Sequence, residues 1–166
     1  MKLILEYKPL QNPYKDEPYT NNEKWGKIDI LLLNNKNVVV KSLLSIEWDI
    51  SVFVEWIVSN EHFLLNEQLP IKNEDDSIAK VLSDFYDQIE IDFLDDILLD
   101  NVFAYRNKHG FRFGLRGIEI CDIYLGNRGD KMTISCYDEN DKWNYFIETE
   151  PFFRMARRLH NSFEIF

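Results

Sequence analysis

Apolar positions along this chain alternate between strand-like and helix-like spacing. Lys2 to Tyr7, Ile28 to Leu33 and Val38 to Lys41 are apolar runs of strand length, the last two split by Asn34-Asn35-Lys36-Asn37. Asparagine tolerates the left-handed backbone that tight turns need, so these two runs predict a hairpin. Residues 8 to 25 carry Pro9, Pro13 and Pro18 among Tyr, Asn and charged residues. Each proline removes a backbone donor, which predicts an extended arm or long loop.

The middle of the chain reads as helices. Asp49 is placed to cap a helix over residues 50 to 64, apolar nearly all round, with Ser51, Glu55, Ser59 and His62 as its one polar stripe. Such a helix is mostly buried. Asp76 or Ser77 caps the next, in which Ile78, Val81, Leu82, Phe85, Tyr86 and Ile89 follow helical spacing. Phe93, Leu94, Ile97 and Leu98 predict a further short helix, with Asp92, Asp95, Asp96 and Asp100 on its opposite face.

From Val102 the period shifts towards two. Val102 to Arg106, Phe111 to Arg116, Glu119 to Leu125, Met132 to Tyr137 and Trp143 to Glu148 are candidate strands. The turns between them are placed at His109-Gly110, Gly126-Asn127-Arg128-Gly129 and Asp138-Glu139-Asn140-Asp141. This is the pattern of an antiparallel meander. Thr149 then caps a last helix with Pro151 in its first turn, lined on one side by Phe152, Ala156, Leu159 and Phe163. The predicted fold is α+β: N-terminal strands, two or three central helices, a β-meander and a C-terminal helix, in a single domain over residues 1–166.

Charge changes this picture in one place. The chain has 19 basic and 29 acidic residues. Between Glu74 and Asp100 lie ten acids and one base, Lys80, so the remaining 18 bases and 19 acids nearly cancel. Amphipathic helices ordinarily put charge on their wet face, but such faces usually mix both signs. Like charges this dense repel, so the excess predicts a face that steers a basic partner. The candidate contacts are Asp84, Asp87, Asp92, Asp95, Asp96 and Asp100. An acidic chain is a poor general binder of nucleic acid.

The remaining chemistry is sparse. The histidines, His62, His109 and His160, have no zinc spacing, and there is no Cys-x-x-Cys. Neither Asp92 to Asp96 nor Asp138 to Asp141 has the alternating ligands of a calcium loop. The expectation is no metal and no cofactor. Cys121 and Cys136 would oppose each other in an ungapped hairpin about Arg128-Gly129, as a reduced, packed pair. Arg154, Arg157 and Arg158 form a helical stripe suited to pairing with acids or with the dipole of their own helix. No nucleophile motif, phosphate loop or zinc-protease motif occurs, which predicts a non-enzyme. With no signal-like start and no long apolar run, the expected location is the cytoplasm.

In size, acidic balance, α+β pattern and lack of catalytic signatures, the chain resembles immunity proteins of bacterial toxin–immunity systems, such as contact-dependent growth inhibition. Trp48-Asp49, Glu55-Trp56 and Asn66-Glu67-Gln68-Leu69-Pro70 carry a local likeness to small bacterial proteins of this sort. The resemblance implies a cognate toxin domain bound stoichiometrically in the cytoplasm, with a nuclease and its basic substrate surface as the expected target. An acidic adapter docking on a host protein is the alternative, and a hydrolase built on converging carboxylates is a third reading.

Overall fold

Residues 1–18, 23–88 and 95–164 are described by a computed structural model of the chain. The elements run β1 (Lys2–Pro9), β2 (Trp25–Leu33), β3 (Val39–Asp49), α1 (Ser51–Asn66), α2 (Ile78–Gln88), α3 (Asp96–His109), a 3₁₀ turn (Phe111–Phe113), β4 (Ile123–Arg128), β5 (Lys131–Tyr137), β6 (Lys142–Phe146) and α4 (Glu150–Glu164). The architecture is α+β, with two three-stranded antiparallel sheets, β1-β2-β3 and β4-β5-β6. The chain divides into two units, Met1–Ser59 with Glu148–Phe166, and Asn60–Ile147. No helix among the described residues is long and apolar enough to cross a membrane.

In the first unit, alternation decides which sheet face is buried. Ile28, Ile30 and Leu32 of β2 are buried, and Leu3 and Leu5 of β1 stand opposite Leu32 and Ile30. On β3, Ile30 pairs with Leu44 but Leu31 pairs with Ser42. Leu43 is thus an extra residue, and this bulge lets the consecutive Leu43 and Leu44 both be buried. The asparagine turn forms as expected. Asn34 Oδ1 accepts the N–H groups of Lys36 and Val38 at 2.9 and 3.1 Å, and Asn37 takes the left-handed conformation, φ 57°. Pro9 and Trp25 belong to strands, so the described part of the arm is 10–18 and 23–24. Its base is closed by Leu10 N–H to the Trp25 carbonyl at 3.1 Å and Asn12 to Glu23 at 2.9 Å.

Asp49 caps α1 by accepting the Ser51 N–H and Oγ–H at 3.1 and 2.8 Å, and it also accepts the Lys24 N–H at 2.9 Å. One carboxylate therefore starts the helix and ties down the end of the loop. At the other end of the unit, α4 packs on β1 through Phe152, Phe153, Ala156 and Leu159. Phe163 is half-buried and meets Tyr7 edge-on. Arg157 pairs with Glu150 of its own helix at 3.1 Å, while Arg154 and Arg158 are exposed.

In the second unit, Ser77 is the cap of α2, its Oγ accepting the Lys80 N–H at 3.2 Å. The Ala79 N–H, which has no partner inside the helix, donates to Ser135 Oγ on β5 at 3.0 Å. Ile78, Ala79, Val81 and Leu82 of α2 share a core with Leu69, Val102, Tyr105 and Tyr124. Gly126 belongs to this core. A Cβ there would come within 2.8 Å of both His109 Nδ1 and Tyr105 Oη, and within 2.9 Å of Ile78 Cδ1.

Several expectations from the C-terminal half are corrected. Val102 to Arg106 is not a strand but the middle of α3, whose buried Val102, Tyr105 and His109 recur at helical spacing. The Asp95 cap starts this helix, and Arg106 and Lys108 in its last turn favour the dipole. His109 ends that helix rather than lying in a turn. Phe111 to Arg116 is the 3₁₀ turn and the bend after it. The β4–β5 turn is Gly129-Asp130, with Gly129 at φ 68°, not Gly126 to Gly129. Gly126 stays in the strand because α2 and α3 leave it no room for a side chain. The pairing therefore moves by two residues: Cys136 faces Ile123, and Cys121 lies diagonally from it.

Candidate functional site

The acidic run divides into parts with different work. Lys80 on α2 pairs with Asp84 at 2.8 Å and with Asp75 at 3.4 Å. Those bonds, to Asp84 first, hold the lysine above its ordinary pKa. Asp75 also accepts the Ser77 N–H at 2.9 Å, and its backbone carbonyl receives the Arg128 guanidinium. Asp75 and Asp84 are thus half-buried and partly neutralised from within.

Asp87 lies one turn further along α2, exposed, and has no ion pair or hydrogen bond among the described residues. It lines a cleft of about 250 Å³ with Ser83, Tyr86, Arg106, Asp122 and Tyr124. Arg106 is fixed there by a 3.0 Å hydrogen bond to Tyr124 Oη and lies 4.8 Å from the centre of the Tyr86 ring. Asp87 and Asp122 both reach this cleft, but Asp122 already receives Arg112 at 3.0 Å. The cleft presents an arginine beside aromatic rings, with carboxylates at its rim.

Asp92 lies outside the described residues. Asp95 is the N-cap of α3, accepting the Ile97 N–H at 3.0 Å, so its first duty is to the helix. Asp96 and Asp100 follow on the outer face, exposed, one turn apart and unpaired with any base among the described residues. Such spacing of like charges costs some stability. On the same outward arc lie Ile97, 72% exposed, and Phe103, 55% exposed. Phe103 also borders a shallow depression of about 380 Å³ with Arg112, Phe113 and Leu115. The helix therefore carries apolar residues on two sides. One side is buried in the core, and the other presents two carboxylates between two large apolar groups.

Ile97 was expected on the buried side with Leu98, and Phe103 in a strand; sequence reasoning missed both as surface groups. The Asp95 cap and the basic last turn were the available signals for one long helix. Extending that helix puts Asp96, Asp100 and Phe103 on a common line.

The histidines are accounted for within the protein. His109 is fully buried, stacked 3.7 Å from Tyr105, with Nδ1 2.8 Å from the Leu125 carbonyl and Nε2 3.0 Å from Glu67 Oε2. Burial lowers its pKa, and the Leu125 and Glu67 contacts offset part of that. His62 contacts Asn66 on α1, and His160 lies 3.6 Å from Glu164 on α4. Cys136 Sγ lies 3.6 Å from the Asp141 carbonyl, and the adjoining Cys121, burial and the nearby Asp138 and Asp141 push its thiol up.

Comparison with known protein families, with curated proteins and with solved structures gives no match.

Proposed function

We infer that this chain is a binding protein that neutralises a cognate toxin domain, with a nuclease the expected target, by occupying the toxin's basic surface. The observation that carries the reading is the outer face of α3, where the exposed Ile97 and Phe103 flank Asp96 and Asp100. Buried apolar anchors supply most of the affinity of a protein interface, and charge supplies the approach rate and the choice of partner. This face offers both, and Asp87 extends the acidic surface on α2. A nuclease surface built for phosphates has the complementary sign.

The test is co-expression with the product of the neighbouring gene, followed by copurification and a growth-rescue assay. A one-to-one complex that rescues growth, and that is weakened by Phe103→Ala, supports the assignment. Rescue that survives Phe103→Ala and the Asp96→Asn, Asp100→Asn pair together would move the contact surface elsewhere. No rescue and no complex with that product would overturn the inhibitor reading in favour of an adapter.

A further inference from the structure

We propose that Cys121, Cys136 and Asp138 form a binding site for a thiophilic divalent cation of the zinc class. Their ligand atoms, two Sγ and one carboxylate oxygen, all lie within 4.8 Å of one another. Fourteen residues separate the cysteines, and no metal-binding spacing marks them. The hairpin register creates the cluster. With Cys136 opposite Ile123, Cys121 lies two residues before that partner, its carbonyl accepting the Ile123 N–H at 3.0 Å, and Asp138 follows Cys136 by two.

The carboxylate is already aimed. Asp138 Oδ1 accepts the N–H groups of Asn140 and Asp141, both at 2.8 Å, which fixes the side chain in the β5–β6 turn. Its other oxygen, Oδ2, is left 3.9 Å from Cys136 Sγ. Zinc bonds of about 2.3 Å to sulfur and about 2.0–2.2 Å to oxygen place tetrahedral ligand atoms roughly 3.5–3.8 Å apart. Contraction by no more than about 1.3 Å therefore closes the site, with the oriented carboxylate acting as a preset arm.

Burial and access also fit. Cys136 is 1% exposed and its thiol points into the cluster, while Cys121 and Asp138 are half-exposed. An ion can enter from that open side, where water takes the fourth position. Soft thiolates select zinc, cadmium or cobalt over magnesium and calcium. Two neutral thiols become thiolates on binding, so each ion displaces two protons into solvent and leaves a net charge of −1 on the ion and its three ligands.

The test uses the full chain, reduced and freed of metal with chelator, and titrated with Co²⁺. The expected result is one ion per chain, a thiolate-to-cobalt absorption band, release of about two protons per ion in weak buffer at pH 7, and displacement by Zn²⁺. Asp138→Asn should weaken binding ~10-fold or more while the band persists, and Cys121→Ser should reduce the band and weaken binding by ~100-fold. The circular dichroism of each variant is read alongside, and Asp138→Asn, in a half-exposed turn, keeps the test valid if a cysteine variant misfolds. Absence of the band in the reduced wild-type chain overturns the site. So does a band and affinity unchanged in both Cys121→Ser and Asp138→Asn.

Discussion

Helices α2 and α3 come from the same acidic stretch and put it to opposite uses. On α2 most of the charges serve the fold, Asp87 at its exposed end excepted. Lys80 gathers Asp75 and Asp84, Ser77 caps the first turn, and Ile78, Ala79, Val81 and Leu82 face the core. On α3 one carboxylate, Asp95, serves the helix, and the next two face solvent beside Ile97 and Phe103. Helix α2 is strongly amphipathic, and α3 is apolar on both sides. An amphipathic helix needs only one partner surface. A helix with two apolar sides has one side left over, and here that side carries the unpaired acids.

The largest expected effect separates the two helices by stability. Leu82→Ala should cost about 2–5 kcal/mol in a denaturant titration, because it empties a filled core position. Phe103→Ala, on the open side of α3, should stay within about 0.5 kcal/mol. Equal losses from both substitutions would show that the outer side of α3 is packed after all.

Binding should reverse that order among well-folded variants. Phe103→Ala should weaken the toxin complex by about 2 kcal/mol, near 30-fold, measured by calorimetry. Asp84→Asn, which removes only an internal partner of Lys80, should leave affinity within about threefold.

A smaller effect concerns rate. Asp96→Asn with Asp100→Asn should slow association several-fold at low salt and flatten its salt dependence, read by stopped-flow, with dissociation little changed. An unaltered association rate would deny these two residues a steering role. Asp95→Ala should cost only about 1 kcal/mol of stability. Hydrogen exchange should place that loss in the first turn of α3, through the freed Ile97 N–H, with α2 unaffected.

Much of the fold was legible because its signals are local. Asp49, Ser77 and Asn34 act on backbone groups a few residues away, so their roles follow from composition and order. The hidden parts depended on distant residues. Val102 to Arg106 is rich in strand-forming side chains, yet the cap at Asp95 and the packing of Val102 and Tyr105 in the α2 core carry the helix through it. The glycine at 126 has the composition of a turn. Only the approach of Ile78, Tyr105 and His109 shows that it is a strand position cleared for packing.

The sequence by itself determined the α+β class, the cap of α1, the choice of Asp76 or Ser77 for that of α2, the asparagine hairpin and the concentration of acid in one stretch. Each follows from period, hydrogen-bonding capacity or charge count along the chain. Tertiary structure alone decided which acids remain unpaired, that Ile97 and Phe103 face outward, and that Cys121 and Cys136 meet Asp138 on a diagonal. These are matters of register and burial. A two-residue shift in a hairpin, or the choice of which apolar side of a helix is covered, depends on close packing between residues far apart in sequence.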